Sequence, residues 1–116
     1  MAIRHAETGE VIDIRPLGPR LKENITSTLI KTDRLEVLRL IVPAGSSIEQ
    51  HQVPGEITVQ CLEGHLIFDA DGTDREMSAG DMLFLQCGAP HAMRAIEDSS
   101  LLVTILLQHK ATADGE

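Results

Sequence analysis

Aromatic side chains are almost absent from this chain of 116 residues. It has no tryptophan and no tyrosine, and Phe68 and Phe84 are its two phenylalanines. Hydrophobic residues still make up 42% of the sequence, which is an ordinary share for a globular domain. The core must therefore be built from Leu, Ile, Val, Met and Ala, and the length suffices for one domain with one core.

Long apolar runs and cysteines are also scarce. The apolar run at residues 101–107 is far shorter than the roughly 18 residues of a membrane-spanning helix, and residues 1–14 lack the apolar centre of a signal peptide. Cys61 and Cys87 are the two cysteines, and neither lies in a Cys-x-x-Cys pair. The sequence thus predicts a cytoplasmic protein with reduced thiols and no membrane partner.

Positive charge is rare in the second part of the chain. The formal net charge is -8, yet residues 1–39 are almost balanced, with seven basic and six acidic side chains. Residues 40–116 hold three basic and twelve acidic side chains. Such a surface repels a phosphate backbone, so nucleic acid is excluded as a partner and a small molecule is the expected ligand.

Short apolar or alternating runs, separated by turn residues, follow one another along the chain. About ten such runs without a convincing amphipathic helix predict an all-β sandwich or barrel. A helix within residues 17–29 stays open, because Lys22 and Glu23 are good helix formers. The predicted strands are residues 11–14, 25–31, 35–42, 48–53, 56–62, 65–69, 75–78, 82–85, 91–96 and 101–107.

Two short stretches carry the candidate chemistry, and each places a histidine in an apparent strand beside glycine-marked turns. The first stretch comprises Gly45, His51, Glu56 and Gly64, and the second comprises Gly80, Gly88 and His91. Imidazoles on strands of one barrel can converge on its interior, where they bind transition metals well. The layout therefore suggests a metal pocket inside a β-barrel.

The spacing of these residues resembles the two motifs of the cupin family, in particular its small single-domain, RmlC-like members. Six motif positions are in register, namely Gly45, His51, Gly64, Gly80, Gly88 and His91. Four positions differ: Val53 replaces the second histidine, Ile57 the glutamate, Gln86 the proline and Ala95 the asparagine. The resemblance covers residues 45–95 and implies a double-stranded β-helix, or jelly-roll barrel.

The resemblance also implies a ligand set. Cupins that carry the full motif hold one divalent transition metal, such as Fe, Mn, Ni, Cu or Zn, through three histidines and one carboxylate. Here it implies His51 and His91 as metal ligands. Glu56 is the candidate third ligand, if a β-bulge at Pro54-Gly55 turns its carboxylate inward. Strict alternation places Glu56 outside instead, so the absence of any metal stays equally open.

Strict alternation predicts a mostly apolar lining for the pocket. Val53, Ile57, Val59 and Cys61 are expected to face the interior, because residues two apart on a strand share a face. Cys87 lies in the turn before the second histidine and is expected at the mouth of the barrel. These five residues are the predicted pocket lining.

Three functions fit these residues. The first is small-molecule binding through a divalent metal at His51 and His91, which by the resemblance would make the chain a metal-dependent oxygenase or isomerase. The second is a metal-free binding or sensor module, in which a histidine holds the polar end of a ligand in an apolar pocket. The third is a metal-independent isomerase or epimerase with a histidine as the general base.

The organisation along the chain has three parts. Residues 1–24 form an N-terminal segment, residues 25–109 the cupin barrel, and residues 110–116 a C-terminal tail. Small cupins commonly form homodimers by exchanging N-terminal strands, and the strand-like residues 11–14 fit that role. Such an exchange also covers an open sheet edge, so we expect a homodimer.

Overall fold

The structure is a computed structural model that describes residues 5–107, and its strands form two antiparallel sheets. The strands are β1 Ser27–Lys31, β2 Leu35–Val42, β3 Ser47–His51, β4 Gly55–Glu63, β5 His65–Ala70, β6 Thr73–Ser78, β7 Met82–Leu85, β8 His91–Ala95 and β9 Ser99–Leu107. One sheet has the order β1-β2-β9-β4-β7 and the other the order β3-β8-β5-β6. The predicted all-β jelly-roll barrel is confirmed.

The core lies between the two sheets and follows from alternation along the strands. On β4, Ile57, Val59 and Cys61 are buried, while the residues between them are more exposed. Leu66 and Phe68 of β5, both fully buried, belong to the same cluster. One phenylalanine and aliphatic side chains thus fill the interior, as the aromatic-poor composition requires.

Gly64 makes the tight turn from β4 to β5 possible. Its φ of +98° lies in a region that other residues rarely adopt, and a Cβ there would approach Ser99 Oγ to 2.3 Å and the Asp98 carbonyl oxygen to 2.4 Å. Gly80 has the same φ of +98°, but a Cβ there would meet nothing within 4 Å. Gly64 is therefore required by both backbone conformation and close packing.

The N-terminal segment differs from the sequence prediction. Residues 11–14 join neither sheet, and Val11 is 94% exposed, so the predicted strand there is wrong. Its alternating pattern finds no partner strand within the described residues, and alternation without hydrogen-bonded pairing does not make a strand. The helix left open at residues 17–29 is a six-residue 3₁₀ helix, Gly18–Glu23, with Leu21 buried.

A buried ion pair attaches this segment to the outer face of the five-stranded sheet. Arg39 of β2 donates through Nη2 to the Glu63 carboxylate at 3.2 Å and to Ser100 Oγ at 3.1 Å. The same carboxylate accepts the backbone N–H groups of Leu17 and Gly18. Burial alone would raise the pKa of Glu63, but these hydrogen bonds and the Arg39 charge hold it below its ordinary value.

Part of the predicted organisation concerns residues outside the described range of 5–107. The tail at residues 110–116 and the last two residues of the predicted barrel lie outside the described residues. Within residues 5–107, none of the helices has the length and hydrophobicity needed to cross a bilayer.

Candidate ligand-binding site

His51 and His91 lie opposite each other on neighbouring strands of the four-stranded sheet. They are cross-strand partners of β3 and β8, and their ring centroids are 4.1 Å apart at an interplanar angle of 61°. His91 is buried and stacks on Phe68 at 5.9 Å, whereas His51 is exposed. The two motifs, far apart in sequence, therefore bring their histidines into direct contact.

Backbone carbonyls fix the tautomer of both rings. His51 Nδ1 lies 3.0 Å from the carbonyl oxygen of Glu49, and His91 Nδ1 lies 3.0 Å from that of Ala89. A carbonyl oxygen only accepts, so each Nδ1 carries a proton, and the neutral tautomer that fits this contact has its lone pair on Nε2. This is the hydrogen-bond arrangement that orients metal-binding histidines in proteins.

His91 is held in its neutral form at neutral pH. Burial lowers the pKa of His91 below its ordinary value, and the neighbouring His51 lowers it further. The hydrogen bond to Ala89 acts in the opposite direction without reversing the shift. A neutral imidazole can accept a hydrogen bond or bind a metal at Nε2, so His91 is ready for either role.

The two histidines form the polar end of a small apolar cavity, called here the histidine cavity. Its volume is about 130 Å³, and it is lined by Leu38, Leu40, Ile48, His51, Val53, Ile57, Val59, Phe68, His91, Met93, Val103 and Ile105. Apart from the two imidazoles, every side chain in this lining is apolar. Most of the surface that a molecule in this cavity would contact is therefore hydrophobic.

Val53, Ile57 and Val59 line the histidine cavity, at the positions that strand alternation predicts. Cys61 continues the same face of β4 and is buried in the core, but it is not among the residues that line the cavity. Burial raises the pKa of the Cys61 thiol, which is therefore protonated and packs as a small apolar group.

Glu56 and Cys87 stand apart from the histidines. Glu56 is exposed between two buried neighbours on β4, so no bulge turns its carboxylate inward. Together with Cys87 it borders a different surface depression, which Gly55, Leu106 and Leu107 complete. Burial of Ile57 fixes the register of β4 and so places Glu56 on the outer face. Neither Glu56 nor Cys87 is among the residues that line the histidine cavity.

The residues present do not fit the full cupin metal set. Two motif ligands are replaced by Val53 and Ile57, and within residues 5–107 no group of three His, Cys, Asp or Glu side chains is placed to hold an ion. Two imidazoles make half of a four-ligand site. Any metal held here would take its remaining ligands from water or from a bound molecule.

The sequence analysis missed part of the lining. Leu38 and Leu40 of β2, Val103 and Ile105 of β9 and Phe68 of β5 reach the histidine cavity from other strands. Their alternation showed that one face of each strand is buried, but not which buried positions reach the histidines. That depends on how the two sheets are placed on each other, which no local pattern encodes.

Two facing antiparallel sheets with a histidine pair at one end of the interior define a jelly-roll barrel. The cupin domain family matches residues 38–107, which is more than half of the chain. The protein belongs to the cupin family.

Solved structures share this fold. A conserved protein from Streptococcus pyogenes superimposes with a TM-score of 0.72 and 21% identity, covering 95% of this chain and 97% of that one. A cupin superfamily protein from Desulfitobacterium hafniense superimposes with a TM-score of 0.73 and 18% identity, covering 89% of this chain and 100% of that one. A predicted oxalate decarboxylase from Thermotoga maritima superimposes with a TM-score of 0.66 and 26% identity, covering 72% of this chain and 79% of that one. The comparison with curated proteins finds no match.

Proposed function

We propose that this cupin binds a small, mostly apolar molecule in the histidine cavity and holds its polar end at His51 and His91. The observation that carries the proposal is the contrast within the lining, where two imidazoles are the polar side chains among ten apolar ones. An apolar body gains from leaving water in such a lining. A hydroxyl or a protonated carboxylic acid group can donate a hydrogen bond to the lone pair on Nε2 of either histidine.

The volume of the cavity limits the size of this molecule. At about 130 Å³ it is similar to an engineered cavity of about 150 Å³ that binds benzene, and smaller than the sites of drug-sized ligands. A molecule about the size of benzene that carries one small polar group fits without rearrangement. A sugar or a nucleotide does not.

Benzyl alcohol is a suitable probe, because it has an apolar ring and one hydroxyl. We expect a saturable titration that shifts the methyl NMR signals of Val59, Ile57 and Val103, which line the cavity. Val103→Phe should fill the cavity and abolish the shifts, whereas Val37→Phe, on the opposite face of the sheet, should leave them unchanged. Shifts that persist in Val103→Phe, or that never saturate in the wild type, would refute the proposal.

A divalent metal at His51 and His91 is the second candidate, and the fixed tautomers favour it. Both Nδ1 atoms donate hydrogen bonds to backbone carbonyls, so both Nε2 atoms can coordinate a cation through their lone pairs. Iron, manganese, nickel, copper and zinc all accept imidazole ligands. The proposed metal would make the site a platform for a small ligand with an oxygen donor.

Elemental analysis of protein purified without an affinity tag tests the metal. A stoichiometric metal that disappears in His51→Ala and His91→Ala, but stays in His65→Ala, supports it. His65 is the matched control because it contacts Glu76 on the other side of the sheet and does not line the cavity. No metal in the wild type, even after incubation with several divalent ions, excludes this candidate.

The enzymatic alternatives draw less support from the lining. Within the described residues, no carboxylate, lysine or tyrosine joins the histidines in the cavity, so an isomerase would have to work with imidazole alone. A metal-dependent oxygenase or isomerase requires the metal of the second candidate.

A homodimer remains part of the proposal. Met82 and Phe84 on β7 are each 61% exposed, and Leu106 on β9 is 54% exposed, on the outer face of the five-stranded sheet. An exposed apolar patch of this kind is typical of an interface. Light scattering should give twice the chain mass for the wild type and a smaller mass for Phe84→Gln, and a monomeric wild type would refute the dimer.

A further inference from the structure

The outer face of the five-stranded sheet carries a second cavity, distinct from the histidine cavity. Its volume is about 420 Å³, and it is lined by Asp13, Arg15, Pro16, Leu17, Arg20 and Arg39. Leu38 and Leu40 line the histidine cavity, so Arg39 between them points to the opposite side of β2. We refer to this space between the sheet and the N-terminal segment as the arginine cleft.

The arginine cleft contains an unpaired buried donor. Arg39 is 7% exposed, and its Nη2 donates to the carbonyl oxygen of Arg15 at 2.7 Å as well as to Glu63 and Ser100. Its Nε, in contrast, is buried without a hydrogen-bond partner in the part of the chain that the structure describes. This Nε has no accessible surface and is out of reach of a ligand, so an acceptor in the cleft meets the other part of the Arg39 guanidinium, which lines the cleft.

Arg20 adds a second available guanidinium. It lines the same cleft, and within residues 5–107 no hydrogen bond or ion pair engages its side chain. The third arginine, Arg15, is already paired with Asp13 through Nε and Nη2, each at 2.9 Å. The hydrogen bond and the charge of Arg15 hold the pKa of Asp13 at about 2, so that pair stays ionised and neutral in sum.

The charges of the cleft thus leave an excess of one cation. Glu63 balances Arg39, Asp13 balances Arg15, and Arg20 has no carboxylate partner among the described residues. This excess lies in a chain whose net charge is -8, so it is a local exception to the acidic surface. Guanidinium groups favour oxyanions with several acceptor oxygens, because their donors are arranged in a planar fork.

We propose that the arginine cleft binds a phosphoryl group, held by the guanidinium groups of Arg20 and Arg39 that line it. The cleft is much larger than one phosphate ion, so a phosphate monoester with a small organic substituent fits it better than the free ion does. Such a ligand would connect the N-terminal segment to the barrel, because Arg20 belongs to the segment and Arg39 to β2. The proposal is independent of the ligand in the histidine cavity.

Isothermal titration calorimetry of the whole chain, at constant ionic strength, tests this site with inorganic phosphate and glycerol 3-phosphate as probes. We expect saturable binding of one glycerol 3-phosphate per chain and weaker binding of inorganic phosphate. Arg20→Gln should weaken glycerol 3-phosphate by about tenfold, since it removes a charge-assisted interaction from an exposed residue without disturbing the core.

Arg34→Gln is the matched control, because it removes the same charge from an exposed residue outside the cleft. It should leave the affinity within about twofold of the wild type if long-range charge is screened by salt. Equal losses in Arg34→Gln and Arg20→Gln would show general charge attraction and overturn the site. The absence of saturable binding of either probe would overturn it as well.

Discussion

Val53→His is expected to convert the histidine cavity into a three-ligand metal site. Val53 follows His51 by two residues and lines the same cavity as His91. Its backbone carbonyl accepts the N–H groups of Gly55 at 2.9 Å and Gly88 at 3.1 Å, so the backbone at this position is held in place. A third imidazole there would join two whose tautomers are already suited to metal binding.

The magnitude follows from the space and the ligand count. Val53 is half-buried beside a cavity of about 130 Å³, so the larger ring costs about 1–2 kcal/mol of stability without metal. Three imidazoles are the protein ligands of some zinc sites, and free zinc at a thousand times Kd would stabilise the fold by about 4 kcal/mol. For a domain of this size that raises Tm by roughly 15 °C.

Thermal unfolding followed by circular dichroism, with and without zinc, measures this shift. Val53→Phe is the matched control, because its ring is of similar bulk and has no metal ligand. The double variant Val53→His with His91→Ala should lose most of the zinc effect, which separates this site from the two cysteines. A zinc shift in Val53→His no larger than that of the wild type would show that positions 51, 53 and 91 do not converge.

Three further outcomes test the fold around the site. Glu63→Gln leaves the buried Arg39 charge uncompensated and should cost about 3 kcal/mol, seen as a Tm roughly 10 °C lower. Because the pKa of Glu63 is lowered on folding, its contribution to stability is present above its unfolded pKa of 4.5 and is lost as the pH falls through its folded pKa. The plots of Tm against pH for the wild type and for Glu63→Gln should therefore converge in acid. The pKa of His91 is also lowered on folding, so below pH 6.5 the unfolded state binds more protons than the folded state does. Denaturant titrations should therefore show that stability decreases as the pH decreases below 6.5, and that it decreases less in His91→Phe. Gly64→Ala should cost more than about 3 kcal/mol in urea unfolding, against about 1–2 kcal/mol for Gly80→Ala, and equal losses would contradict the close packing at Gly64.

Most of the barrel could be predicted from the sequence because its strands are separated by strong turn signals. The predicted bounds of β2 and β7, at residues 35–42 and 82–85, agree with the structure, and the other seven strands agree to within two residues at either end. The predicted strand at residues 11–14 is wrong for a physical reason. Alternation shows that one face of a segment can be apolar, but only a neighbouring strand with free backbone groups makes the segment part of a sheet.

The candidate site was only partly predictable. The histidine contact follows from motif spacing, and it is observed as a cross-strand pair at a centroid distance of 4.1 Å. The arginine cleft had no comparable signal, because Arg20 and Arg39 are separated by 18 intervening residues and meet through the path of the N-terminal segment. Local patterns report which face a residue takes, whereas such a cleft depends on how distant segments lie on each other.

The two replaced motif positions differ in what a metal ligand there would cost. Val53 is half-buried at the edge of the cavity, whereas Ile57 is 3% exposed within the core. A carboxylate at position 57 would lose about 2 kcal/mol of apolar burial and several kcal/mol of hydration. Those losses are large against the roughly 6 to 17 kcal/mol that stabilise a domain of 116 residues. A glutamate at that position depends on a bound cation to offset its charge. An isoleucine there therefore agrees with a site to which residues 5–107 bring two histidines and no third metal ligand.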